Sequence, residues 1–528
     1  MVDNSSGQGM ESLPNGHGKG AFYASVLLTV LPFLCVGLFS GDDFLIRFFP
    51  DDAFYYIQTA WNFSETGKIS FDGINWTNGF HPLFFIVSSV VARLFPKDLL
   101  LNVFFLLNVF LVFSALVLCL QKFETFLDNQ LKSLALQFFS MPLFFCFVWI
   151  SCGMETGLVV LASALFFLAW IKADRHDFTH RSQNLRLGAA VSFIMLSRLE
   201  LVFVLIPFYV FICYRLFRKN NGDGLKHACE VFILPLLIGG FYLGINVIFT
   251  GHAIPISGIA KKLHWKPFWK SWKSSTGGSV TVSIVACIPL LVSLTVFVGA
   301  CFRRLRKPFS PARLHDLLLL NVGVVLYYLY LFFFAWHFFI WYFAFPSAAF
   351  LISGLLMAGT FGKAGDLLRT HRRFGVRVVV FGLLVNVAAN TYFLLDLVPR
   401  NTNASYHLLK IAREVDRLCG PEAVIATFDA GIVGFFTAGR VINLDGLANN
   451  FDYLENYYVP RRFQEYFQQQ GVTYFLARDF VLSNKNEVKK GDYVSSTLWR
   501  DRRIELFSEN ELFRYSIPRN FSVYLFRL

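Results

Sequence analysis

Two adjacent carboxylates, Asp51 and Asp52, open the stretch DDAFYY, which is followed by SFDG around Asp72 and by TNGFHPL from Thr77 to Leu83. Like charges side by side repel and cost free energy unless something uses them. A carboxylate here can take the proton from an attacking hydroxyl, or hold a divalent cation that neutralises a phosphate leaving group. The alternative is structural: after Pro50, acidic residues at a helix start answer the free amides of the first turn.

Three further places carry groups able to do chemistry. Glu155, in Gly153-Met154-Glu155-Thr156-Gly157, sits between two apolar runs, where it can bind metal or a sugar hydroxyl, or simply meet helix amides. Arg198 and Glu200 interrupt the middle of a long apolar segment. They form either an ion pair that holds a broken helix or part of a substrate site, since charges at membrane depth tend to face water-filled cavities. The loop from Gly251 to Gly278 holds Lys261, Lys262, Lys266, Lys270 and Lys273 with His252 and His264, and no acidic residue. Lys261 and Lys262 are its phosphate candidates; the later lysines, beside Trp265, Trp269 and Trp272, suit anchoring at a lipid surface. Trp341 and Tyr342, near His337, read as an aromatic belt, with ligand stacking as the alternative.

The elements that must position these groups follow from composition. Of 528 residues, 55% are hydrophobic and only 16% are charged, against roughly 25% in soluble domains. Apolar runs of roughly 18 residues or more recur from Phe22 to Leu395, as a hydrocarbon layer about 30 Å thick demands of each spanning helix. The chain therefore reads as a polytopic membrane protein. Nine cysteines, mostly within apolar runs, show no metal-ligand or disulfide-scaffold spacing. The net charge of +13 reads as loop topology, not as a nucleic-acid surface.

Spans are expected near residues 21–40, 102–120, 133–150, 156–171, 186–214, 228–249, 280–301, 314–334, 339–358 and 374–395. The 186–214 run, broken by Arg198 and Glu200, is expected to be two short helices, which gives about eleven crossings. Basic loops around Lys172–Arg186, Arg215–Lys226, Arg303–Arg313 and Lys363–Arg373 share one parity, the cytoplasmic one. With the first helix retained as an anchor, that parity puts the N-terminus inside and places residues 41–101, Glu155, residues 250–279 and everything after Val398 outside. Phe80 to Phe95, bounded by prolines, is expected to be an interfacial or re-entrant helix in the first external loop. From about Asn401 the apolar runs stop, and a helix near Tyr406–Leu418 with strands at Ala423–Thr427, Val441–Leu444 and Val472–Ala477 points to an external α/β domain. The expected division is thus a membrane domain over 1–400 and a soluble domain over 401–528. Asp429, Asn443 and Asp445, at strand ends, are either acceptor-recognition groups or ordinary turn residues.

The order of these features resembles the GT-C superfamily of polytopic glycosyltransferases, which use polyprenyl-phosphate sugars as donors. A first helix, a large external loop opened by an acidic pair, and an interfacial helix introduced by a basic residue before proline correspond to Asp51-Asp52 and His81-Pro82. GMETG, GHAIPISG, WYFAFP, and FDAGIVGFF with VINLDGL extend the likeness over most of the chain. It is similar to uncharacterised bacterial members related to protein O-mannosyltransferases, the lipid A aminoarabinose transferase and mycobacterial arabinofuranosyltransferases. The resemblance implies that Asp51 or Asp52 is the catalytic base and that His81 stands near the donor phosphate. Arg198, Glu200, Glu155, Lys261, Lys262, Asn78 and Tyr55 complete the candidate donor and substrate site.

The expected activity is an inverting transfer of a sugar to an acceptor hydroxyl on the extracytoplasmic face of a bacterial inner membrane. The acceptor would be a glycolipid, polysaccharide or protein, and the displacement is either metal-free or assisted by a divalent cation (Mg, Mn or Ca) held by Asp52 and Glu155. The rival readings are a transporter or flippase of a lipid-linked sugar, for which no inverted repeat speaks, and a non-catalytic envelope-assembly subunit.

Overall fold

A computed structural model describes residues 16–122, 151–218, 223–263, 289–296, 298–299, 311–335, 339–358, 372–392, 394–395, 403–478, 510–517 and 522–528. The expected span at 133–150, much of that at 280–301, most of the basic loops at 303–313 and 363–373, the lysine loop after Leu263 and His337 lie outside the described residues.

The first part is helical. It runs through α1 (Gly16–Phe39), α2 (Ala53–Thr66), α3 (Pro82–Leu94), α4 (Leu100–Lys122), α5 (Thr156–Arg175), α6 (Arg181–Ser197) and α7 (Val202–Arg218). It continues through α8 (Asp223–Thr250), α9 (Ile256–Leu263), α10 (Pro311–Phe334), α11 (Ala344–Ala358) and α12 (Arg372–Tyr392). Among the described residues five helices are long and apolar enough to cross a membrane: Lys97–Gln121, Thr156–Arg175, Leu199–Arg218, Asp223–Thr250 and Leu314–Phe334.

The long 186–214 run is interrupted at its charges. α6 stops at Ser197, Arg198 is extended, and one 3₁₀ turn at Leu199–Leu201 leads into α7. The break turns both charged side chains inward instead of stranding them along a straight apolar helix. At the far ends of these helices Arg215 Nη1 bonds Asp174 Oδ1 at 3.2 Å and Asp177 Oδ1 at 2.9 Å, so the Lys172–Arg186 loop and the end of α7 meet at one end of the bundle.

α3 begins with Pro82 at its first turn, where a missing N–H costs nothing. Phe84, Phe85, Ser88, Val91 and Ala92 face inward, while Ile86, Val90 and Leu94 form an exposed apolar stripe on the outside. This short helix packs on α2 and α6 and is apolar on both faces, which suits a helix at the edge of a lipid layer.

The C-terminal part is layered α/β. α13 (Ala404–Cys419) is capped by the Asn403 side chain, which accepts from Tyr406 N at 3.0 Å. After it come β1 (Val424–Thr427), α14 (Gly431–Phe436), β2 (Arg440–Asn443), α15 (Phe463–Gln470), β3 (Tyr474–Arg478), β4 (Glu511–Ser516) and β5 (Ser522–Arg527). The sheet order is β2-β1-β3-β5-β4. The first three strands are parallel, with Ile425 opposite both Val441 and Tyr474, and β5 runs antiparallel to β3 with Leu525 opposite Leu476. The first three strands stand within two residues of their expected places; β4 and β5 are additional.

This unit sits directly on the segments that precede and follow α2. Asn403 Nδ2 donates to the Arg47 carbonyl at 3.0 Å, Ser405 Oγ to the Phe49 carbonyl at 2.7 Å, and Arg440 Nη2 meets Asp72 Oδ2 at 2.8 Å.

Candidate functional site

The extended His81 and the helix break at Arg198 deliver their side chains to one place. Arg198, only 2% exposed, donates from Nε to Glu200 Oε1 at 2.7 Å. Its Nη1 donates to Glu155 Oε1 at 3.0 Å and to the Trp341 carbonyl at 3.1 Å, and its guanidinium lies 4.3 Å from the Tyr342 ring centre. His81 Nδ1 accepts from Leu199 N at 3.4 Å, which leaves the Nε2 proton pointing at Glu155 Oε1 (3.7 Å) and Glu200 Oε2 (3.8 Å). Burial pushes the His81 pKa below the ordinary value, against the pull of Glu200 and Glu155, so the ring is a neutral donor at pH 7.

Beside this cluster opens a pocket with about 440 Å3 of empty space. Asp52, Tyr55, Tyr56, His81, Glu155, Arg198, Ser257, Lys261 and Trp341 line it, with Gly79, Phe80, Met154 and Leu447 closing its walls. α9 presents Ser257 and Lys261, one turn apart, to the pocket, while Ile256 and Ala260 on the adjoining stripe are buried. Burial disfavours the Lys261 ammonium, but Tyr342, Glu200 and Asp52 facing it hold its pKa above the ordinary lysine value, so it stays charged. A second, apolar cavity with about 1010 Å3 of empty space shares Phe80 with the first. Phe63, Ile69, Trp76, Phe85, Ile86, Tyr242, Ile245 and Phe249 line much of it, where the end of α8 meets α2 and α3.

Asp52, His81, Glu155, Arg198, Lys261 and Tyr55 are therefore brought together, with Glu200 behind Arg198. Three candidates stand elsewhere. Asp51 turns away from the pocket and caps α14, accepting from Gly431 N at 3.0 Å and Ile432 N at 2.8 Å. Asn78 is buried, its Oδ1 accepting from Ile256 N at 2.9 Å and its Nδ2 donating to Asn246 Oδ1 at 3.3 Å, so it holds the start of α9 in place. Lys262 is exposed and is not among the residues lining the pocket.

The strand-end groups Asn443 and Asp445 meet the Tyr55 hydroxyl instead of an open surface. Tyr56, Ser257 and Leu447 line the pocket without being among the candidate residues, and Trp341, expected in an aromatic belt or as a stacking surface, lines it too. Tyr56, Ser257 and Trp341 lie in the stretches DDAFYY, GHAIPISG and WYFAFP, whose density of polar and aromatic groups was the available signal.

The donor set allows a test for a divalent cation. Among the described residues no three His, Cys, Asp or Glu side chains are grouped as a metal site of their own. Glu155 Oε1 is committed to Arg198, but Oε2 is buried without a hydrogen-bond partner, and Asp52 lines the same pocket. Two carboxylates completed by phosphate oxygens and water are what Mg²⁺ or Mn²⁺ takes, whereas Ca²⁺ asks for more oxygens. Three carboxylates against the fixed charges of Arg198 and Lys261 also leave the site short of positive charge for a phosphate.

A family profile described as a domain of unknown function, DUF8728, matches residues 398–524. No curated protein matches the chain. Among solved structures, the chain is similar to the Archaeoglobus fulgidus oligosaccharyltransferase in its apo form, with a TM-score of 0.50 and 13% identity over 87% of this chain and 69% of that one. The complex of the same enzyme with Zn and sulfate aligns over 86% of this chain and 67% of that one, at 14% identity and a TM-score of 0.46. At 13% identity the apo-form likeness is one of fold.

Proposed function

We propose that the chain is a multi-pass membrane glycosyltransferase that moves a sugar from a polyprenyl-phosphate donor to an acceptor hydroxyl. The observation that carries this reading is the convergence on one pocket of an aspartate (Asp52), a neutral histidine (His81), a lysine (Lys261) and an arginine-bridged carboxylate (Glu155) from separate parts of the chain. In this reading the membrane part has about eleven crossings with the N-terminus in the cytoplasm, and the pocket opens on the outer face of a bacterial inner membrane.

Asp52 takes the proton of the acceptor hydroxyl as its oxygen attacks the anomeric carbon. The bond from that carbon to the phosphate oxygen breaks on the opposite face, so configuration inverts and the polyprenyl phosphate leaves. Lys261 and the His81 Nε2–H meet the charge that grows on the leaving phosphate. Arg198 is spent on Glu155 and Glu200, and its part is to fix the orientation of Glu155. Asp52 and Glu155 Oε2 would hold a divalent cation, whose chemistry is neutralisation of the phosphate. The apolar cavity sharing Phe80 suits the first isoprene units of the donor.

A flippase for the same lipid needs the groove and the cations but no base. The two are separated by reconstituting the purified protein with radiolabelled polyprenyl-phosphate sugar and an extract of envelope acceptors. Covalent label on an acceptor is the expected result; translocation of intact donor without any new linkage would replace the transferase reading by the transport one.

A further inference from the structure

The mechanism leaves unused a set of buried polar groups on the other side of α2. Tyr55 stands one turn beyond Asp52. Its ring lines the pocket, but its hydroxyl points into the C-terminal unit, donating to Asp445 Oδ2 at 2.8 Å and accepting from Ala430 N at 3.2 Å and Asn443 Nδ2 at 3.0 Å. Asp445 Oδ2 also accepts from Asp429 N at 2.8 Å. On the other side of Asp52, both carboxylate oxygens of Asp51 are held by the first amides of α14. The backbones themselves meet here: a Cβ at Gly431 would collide with the Asp51 carbonyl, and one at Gly79 with the Leu447 carbonyl.

Asp52 is thus flanked at i−1 and i+3 by side chains that belong, by their hydrogen bonds, to the C-terminal sheet. Its own side chain makes no capping bond to α2. The carboxyl ends of β1 and β2, where an open parallel sheet commonly takes a ligand, are filled instead by Tyr55 and Asp51.

We propose that Asp51, Tyr55 and Asp445 are positioning residues through which the C-terminal unit sets the place of the Asp52 carboxylate in the pocket, so that this unit is a working part of the catalytic site. The inference rests on the glycosyltransferase reading. A base displaced by about 1 Å loses on the order of 100-fold in rate while donor binding is untouched.

The test uses the full-length protein in proteoliposomes with polyprenyl-phosphate sugar as probe. Tyr55→Phe removes one oxygen, Asp51→Asn removes one of two acceptors, and Gly431→Ala wedges the junction without changing any polar group. Each is expected to lower kcat by about 10- to 100-fold with the donor KM within about two-fold of wild type. Arg514→Gln, on the outer strand β4, is the control and should behave as wild type. Asp51→Glu, which keeps both acceptor oxygens, should recover more activity than Asp51→Asn. Wild-type kcat in Tyr55→Phe and Gly431→Ala, or a change confined to KM, would overturn the positioning role alone. Absence of transfer by the wild-type protein would overturn the glycosyltransferase reading, and this inference with it.

Discussion

An arginine sits between two carboxylates at each end of the same helix bundle. Arg198 joins Glu155 and Glu200 at one end, and Arg215 joins Asp174 and Asp177 at the other. The surroundings differ. Arg215 is a third exposed and closes a loop; Arg198 is almost fully buried and borders the pocket, with His81 pointing at both of its carboxylates and one oxygen of Glu155 left without a partner. A charged cluster in a membrane protein is therefore no site by itself. What marks the Arg198 cluster is the unspent donor and acceptor capacity that it turns toward a cavity.

Breaking the two clusters in parallel should separate them most strongly. Arg198→Gln strands the buried Glu155 and the half-buried Glu200 and is expected to destabilise the protein by about 3–5 kcal/mol. Arg215→Gln, in a partly solvated pair, should cost about 1 kcal/mol or less. Thermal unfolding of the detergent-solubilised protein reads both, and equal losses would erase the distinction.

A finer contrast lies within α9. Lys261→Ala should raise the donor KM by about ten-fold, the worth of one charge-assisted contact, whereas Lys262→Ala should stay within about two-fold of wild type. Steady-state transfer kinetics decide, and equal effects of the two would indicate a diffuse electrostatic role for the loop.

The last contrast concerns the domain junction. Burial, with the charge of Asp429, pushes the Asp445 carboxyl from 3.8 up to about 7, against its hydrogen bonds from Tyr55, Asp429 N and Asn443. A folded-state pKa above the unfolded one means that this contribution to stability is fully present below about pH 4 and is lost as pH rises through about 7. Wild-type stability should fall across that window by at most about 1.4 kcal/mol per pH unit from this group, and Asp445→Asn should flatten the curve. Unfolding midpoints measured from pH 5 to 8 check it.

Much of the pocket was legible in the sequence because its groups are costly where they stand. Arg198 and Glu200 inside an apolar run, Glu155 between two runs, and Lys261 in a loop with no acid all announce themselves by their expense. The choice between Asp51 and Asp52 was not legible. Both stand at one helix start, and the amides that claim Asp51 lie 380 residues further along. Asn443 and Asp445 looked like free strand-end groups for the same reason, since their partner Tyr55 is remote in sequence. Lys261 and Lys262 differ only by the turn of a short helix, which pattern alone does not orient. β4 and β5 escaped notice because short strands of alternating aromatic and charged residues, such as Glu511–Ser516, carry little apolar signal.

The central claim is that Asp52 is the base. The most direct measurement is sugar transfer by Asp52→Asn in proteoliposomes, with donor binding followed in the same samples. Donor binding near wild type with transfer reduced at least about 100-fold is the predicted result; transfer at the wild-type rate would contradict it.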